Sequence, residues 1–224
     1  MQIKPPLVSY CEQVRNLPPD DPDRKHHDHV HGFAVKDDNE LFGRLIMEIN
    51  QAGLNWTLIL KKGENFRRAF EGFDILKVAA YGEDDKRRLL SDAGIIRNRR
   101  KVDAVIHNAG VIRELQQEYG SFTSWLDHHH PMVLDGWVRL FKKTYRFTGP
   151  EIVNEWLMST GYLPGAHKED CPVYDKAISS GPRWLRGSLC MKPDITSSRK
   201  RERCGAGFAP INVPPPPVKP ACAV

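Results

Sequence analysis

The sequence lacks any apolar run of the roughly 20 residues that a bilayer-crossing helix needs. Its first residues, Met1 to Pro6, lack the apolar core of a secretory leader. It also lacks an even set of cysteines: there are five, and three of them, Cys190, Cys204 and Cys222, fall late in the chain with no evident role, which argues against a disulfide scaffold. Finally, no stretch shows the sustained polar–apolar alternation of strands, so the expected fold class is all-α. Together these absences point to a cytoplasmic protein with no membrane segment, whose thiols stay reduced unless they hold metal. Excess of one charge sign is small, 33 Lys and Arg against 28 Asp and Glu; this permits an anionic partner without requiring one. With 224 residues the chain can bury one good core. We expect a helical domain over residues 1–182, its Pro- and Asp-rich first 23 residues wrapping the surface except for 7–11, where apolar residues surround the Cys11 thiol, and a disordered tail over 183–224. The tail holds the charge run 199–203 and the proline run 214–217, which offer little apolar surface to offset the entropy of ordering.

What is present centres on residues 47–56. Leu41, Leu45, Glu48 and Ala52 recur at helical spacing, with Phe42, Ile46 and Ile49 beside them. Glu48 therefore occupies an apolar stripe, where a carboxylate is costly unless partnered or wanted. Residues 37–40 supply acidic N-cap candidates, and Gly53 suits the helix end. Two readings stay open for the residues that follow: Glu48 pairs with a core Arg or His while Trp56 packs, or Glu48, Leu54 and Trp56 form a pocket for a flat base. Further helices are expected around Leu58–Leu60, Phe66–Phe70, Val78–Tyr81, from Val102 to Leu115, from Trp137, and from Pro150 to Gly161. Residues 89–102 read as helix, tight hairpin, helix, with Gly94 at the turn and Arg97, Arg99, Arg100 and Lys101 after it. Such a hairpin can grip phosphate through backbone N–H groups and cations, or it can be a solvated basic turn. Four histidines crowd residues 26–31, and His128 to His130 lie in an expected loop over 125–135.

Residues 48–56 resemble the signature Glu-Gly-Gln-Gln-Ala-Gly-Leu-Ser-Trp of the type I DNA-3-methyladenine glycosylases. The similarity continues through 60–67, 73–74 and 77–80, is strongest over 92–101, and spans about residues 24–175. The resemblance implies a helix–hairpin–helix glycosylase that hydrolyses the N-glycosidic bond of alkylated purines, chiefly 3-methyladenine, in double-stranded DNA, working as a monomer. By it, Glu48 holds the cationic base and Trp56 stacks on it. His26 stands where the family has a pocket Tyr, and His31 where it has an aromatic; both would face the base. A protonated His26 would repel a cationic purine. Leu54 would fill the gap left in the duplex, and Gly94, Arg97, Arg99 and Lys101 would meet DNA phosphates. The family also joins an N-terminal Cys and a His to a His-x-x-x-Cys pair around structural zinc. Here that set is Cys11, His27, His167 and Cys171, with His29 or His31 as alternatives to Cys11. The histidines at 26 and 31 motivate a second reading, a DNA-binding helix–hairpin–helix protein with lost or altered excision. A third is a zinc-stapled helical interaction protein with no DNA role.

Overall fold

The structure, a computed structural model, describes residues 8–188, and among them every regular element is helical. In chain order these are α1 (Tyr10–Val14), α2 (Pro22–His29), α3 (Asp38–Gln51), α4 (Trp56–Lys61), α5 (Gly63–Ala69), α6 (Ile75–Ala79), α7 (Glu83–Ser91), α8 (Arg99–Tyr119), α9 (Phe122–His129), α10 (Leu134–Thr144), α11 (Pro150–Ser159), α12 (Tyr174–Ser179) and α13 (Arg183–Ser188), with a single 3-10 turn at Glu71–Phe73.

Helix α3 packs against five other helices. Asp37 starts it, its Oδ1 accepting the Glu40 N–H at 2.8 Å, a cap that removes one of the helix's orphan donors. Leu41, Phe42, Leu45, Ile46 and Ile49 are fully buried, each stabilising by about 1.5–3 kcal/mol relative to exposure. They meet α4, α5, α6, α8 and α11. Asp38 does a different job from its neighbour. Its carboxylate accepts the N–H groups of Phe122 and Thr123 at 2.7 and 3.0 Å, tying the start of α9 to the start of α3. From α11, the buried Trp156 donates its indole N–H to the Leu41 carbonyl at 3.1 Å.

In the N-terminal segment Ser9 and Glu12 form a reciprocal cap for α1, which buries Cys11 and Val14. Two expectations change. His128 and His129 are not in a loop, because α9 runs through them. The Ser121 hydroxyl caps that helix at Ser124 N–H, 2.8 Å, and buried Trp125 and Leu126 hold its face. Nor does order stop at Pro182. Arg183 is buried and donates to Asp127 at 2.8 Å, and Trp184 N–H reaches the Gly161 carbonyl at 3.2 Å. The tail from residue 189 on, with Cys190, Cys204 and Cys222, lies outside the described residues.

Candidate active site and metal centre

Glu48 lies in the third turn of α3, 7% exposed, and its carboxyl makes no hydrogen bond among the described residues. Arg44, which lines the same cavity as Glu48, is not its partner. Arg44 spends its guanidinium on Glu40 at 3.1 Å and on the carbonyls of Val30 and Ser159 at 2.9 and 2.7 Å. Burial without a partner disfavours the carboxylate, and the charge of Glu155 on α11 adds repulsion, so the Glu48 pKa rises from 4.5 to about 8. The carboxyl borders a cavity of about 180 Å3, whose walls include Met47, Trp56, His26 and Leu60. That volume compares with the ~150 Å3 that admits a benzene-sized ring. Gly43 forms part of the wall for a steric reason: a Cβ there would meet the Phe73 ring at 2.4 Å.

Trp56 opens α4 and meets the His26 ring edge to face, centroids 5.1 Å apart. His26 is neutral, because burial, Arg44 and His27 push its pKa down to about 3; the expected repulsion of a cationic base by this ring therefore does not arise. Behind it stands Tyr10, which was not singled out from the sequence. Its hydroxyl donates to the Asp23 carbonyl at 2.9 Å and lies 3.2 Å from His26 Nδ1. Its position beside Cys11 was the only available signal, since its partners lie 13 and 16 residues away. His31 is buried in the same layer, its ring centroid 5.2 Å from that of Tyr10, but it does not line the cavity. Its carbonyl instead accepts from His167.

Cys11, His27, His167 and Cys171 come together, all four buried, with their ligand atoms within 4.8 Å of one another. Cys171 Sγ lies 3.7 Å from His27 Nε2 and 3.8 Å from His167 Nδ1, and Cys11 Sγ lies 3.9 Å from the same Nδ1. Two thiols and two imidazoles at such spacings can surround one tetrahedral ion at about 2.0–2.3 Å. The outer nitrogens are held as metal-binding imidazoles need: His27 Nδ1 on Asp28 Oδ1 at 2.7 Å, and His167 Nε2 on the His31 carbonyl at 2.7 Å. His29 and His31 are not in the set.

Comparison with known proteins gives the family. The model of the methyladenine glycosylase family matches residues 18–134. DNA-3-methyladenine glycosylase 1 of Escherichia coli (strain K12) is 33% identical over 168 residues, 66% of this chain and 89% of the relative. The chain belongs to the methyladenine glycosylase family. A family member from Haemophilus influenzae is 29% identical over 66% of this chain and 89% of its own. Among solved structures, 3-methyladenine DNA glycosylase I from Staphylococcus aureus superposes with a TM-score of 0.64 at 31% identity, over 70% of this chain and 93% of that one. The family match stops short of His167 and Cys171, so the metal set rests on the geometry above.

In this family member, three elements converge at the end of α3. Gly53 takes φ of +79°, open to glycine, and turns the chain so that Leu54 stands 37% exposed. Gln51 holds the tip, its side chain donating to the Leu54 carbonyl at 3.0 Å. The α7–α8 hairpin lies alongside, fixed by Lys62, whose Nζ donates to the carbonyls of Ala93 and Gly94 at 3.0 Å each. Gly94 serves a close approach, a Cβ there falling 3.2 Å from Asn65. Its N–H is not free for phosphate as expected, since it donates to Asp92 Oδ1 at 2.7 Å. Arg97 and Arg100 are exposed and in no ion pair among the described residues, while Arg99 pairs with Glu83 and Asp103. Lys101 departs most from expectation. It is 4% exposed, and its Nζ donates to the carbonyls of Asn50 and Ala52 at 2.8 Å each. It caps the C-terminus of α3 and does not face solvent.

Proposed function

We infer that this protein is a DNA repair glycosylase that excises alkylated purines, chiefly 3-methyladenine, from duplex DNA. The observation that carries the reading is the buried, unpartnered carboxyl of Glu48 beside Trp56 in a cavity of about 180 Å3. A variant of a 3-methyladenine DNA glycosylase I has been solved in complex with 3-methyladenine; it is 31% identical and superposes with a TM-score of 0.64.

Methylation at ring nitrogen N3 gives adenine a positive charge and weakens its bond to the sugar. The nucleotide is flipped out of the duplex, and its base enters the cavity against the Trp56 face. The cation supplies the partner that Glu48 lacks. A carboxyl with a pKa near 8 gives up its proton as the cation arrives, and the pair forms where little water screens it. Neutral adenine offers no such compensation and leaves Glu48 protonated. Discrimination thus comes from charge. In hydrolysis the bond between C1′ and the purine nitrogen breaks with its electrons going to the base, which leaves uncharged. Water adds hydroxide to C1′ and releases a proton. His26, neutral and donating or accepting through one ring nitrogen, borders the base without opposing its charge.

Leu54 enters the gap left by the flipped nucleotide, and Arg97, with Arg99 and Gly94 behind it in the helix–hairpin–helix, positions the backbone. Cys11, His27, His167 and Cys171 hold one zinc ion. Four protein ligands leave no open position, so the ion is structural and joins α1 and α2 to the segment before α12. The protein works as a monomer in the cytoplasm, where its thiols stay reduced. Release of 3-methyladenine from methylated duplex DNA by the purified protein tests the activity, and its absence from folded, metal-loaded protein refutes it.

A further inference from the structure

The loop between α10 and α11 holds one residue that neither the core nor the base cavity explains. Phe147 has φ of +60°, a left-handed conformation that bulky side chains rarely adopt. Its neighbours are locked inward. Tyr145 and Thr148 are buried, and Thr148 Oγ1 donates to the Phe141 carbonyl at 3.2 Å. Arg146 is clamped at both backbone atoms by the fully buried Asn108, which accepts its N–H at 2.8 Å and donates to its carbonyl at 3.0 Å. The clamp turns the Phe147 ring outward, 39% exposed. Glycine would take the same conformation without strain. Residues held this way cluster at functional sites.

The ring faces a groove of about 880 Å3 whose other wall is the end of α3, with Gly53 directly before Leu54. The buried Lys101 Nζ lies 5.9 Å from the Phe147 centroid, so one ammonium links the α3 end, the start of α8 and this loop. Lys142 lines the groove too, and Lys142, Lys143 and Arg146 are exposed and in no ion pair among the described residues; Glu151 is the one carboxylate in the wall. An exposed aromatic and an unpaired lysine in one groove, next to the residue that carries the exposed Leu54 tip, match a nucleic-acid strand, whose bases stack and whose phosphates are anionic.

We propose that Phe147 is a second stacking contact to duplex DNA, meeting a base beside the gap that Leu54 enters. This rests on the DNA reading above. The test uses the full chain and a labelled duplex carrying one abasic-site analogue, with Phe147→Ala and Phe147→Gly. Both variants should lose affinity on the order of tenfold, equally at every salt concentration, because stacking releases no counterions. Phe147→Gly should keep or raise the melting temperature, since glycine accepts the left-handed backbone. Unchanged affinity overturns the proposal. A lowered melting temperature in Phe147→Gly, or a changed salt slope, also overturns it, by making the residue a packing or a phosphate-positioning one. Wild-type protein that binds no duplex would instead remove the DNA reading itself, before any variant is compared.

Discussion

Glu48→Gln should make the protein more stable and less active, and the stability gain should depend on pH in a defined way. In the folded chain the Glu48 pKa stands at about 8, against an ordinary value of 4.5. Below pH 4.5 the carboxyl is protonated in both folded and unfolded chains and contributes nothing. Between 4.5 and 8 the unfolded chain has lost the proton and the folded chain retains it, so stability falls as pH rises. At about 1.4 kcal/mol per tenfold change in proton affinity, the full loss above pH 8 is about 5 kcal/mol, and at pH 7 it is about 3 kcal/mol. Glutamine keeps the shape of the protonated carboxyl and has no proton to lose. The variant should therefore match the wild type at pH 4.5 and exceed it at pH 7 by roughly 6–12 °C in melting temperature. Thermal unfolding of both proteins across that range measures the difference. A melting-temperature difference that stays flat with pH would show that Glu48 has a partner or reaches water, and the reasoning about the cavity would fail with it.

Three further outcomes follow from the same contacts. Protein purified without a histidine tag should carry about one zinc per chain, and a His167→Ala, Cys171→Ala double variant should lose it, read by metal analysis; retained zinc refutes the site. Lys101→Ala should cost about 2–4 kcal/mol, because it strands the Asn50 and Ala52 carbonyls, while leaving the salt dependence of DNA binding unchanged; a stable variant with a shallower slope would return Lys101 to the surface. Arg97→Ala should reduce the salt slope by about one, and an unchanged slope would move the phosphate contact elsewhere.

The parts of the site that were legible in the sequence are those where a residue type contradicts its local pattern. Glu48 interrupts an apolar helix stripe, and the structure buries it. The parts that were not legible depend on reach. Lys101 sits in a run of cations that look alike, and only the fold sends its side chain back to a helix end about 50 residues earlier. Tyr10 reads as one more apolar neighbour of Cys11, yet it supports His26 from another helix. The helix through His128 and His129 was hidden because a histidine run before proline has loop composition, while the deciding features, the Ser121 cap and the buried Trp125, lie upstream. The metal set needed the pairing of His27 with the pair 167 and 171, a separation that periodicity cannot supply.

The central claim is that the cavity beside Glu48 recognises a cationic purine and releases it. The most direct measurement is base release from methylated duplex DNA by wild type and Glu48→Gln, at matched fold and metal content. The account predicts 3-methyladenine among the products of the wild type and much slower release by the variant, with affinity for undamaged duplex nearly equal. No release by the wild type, or equal release by both, would contradict it.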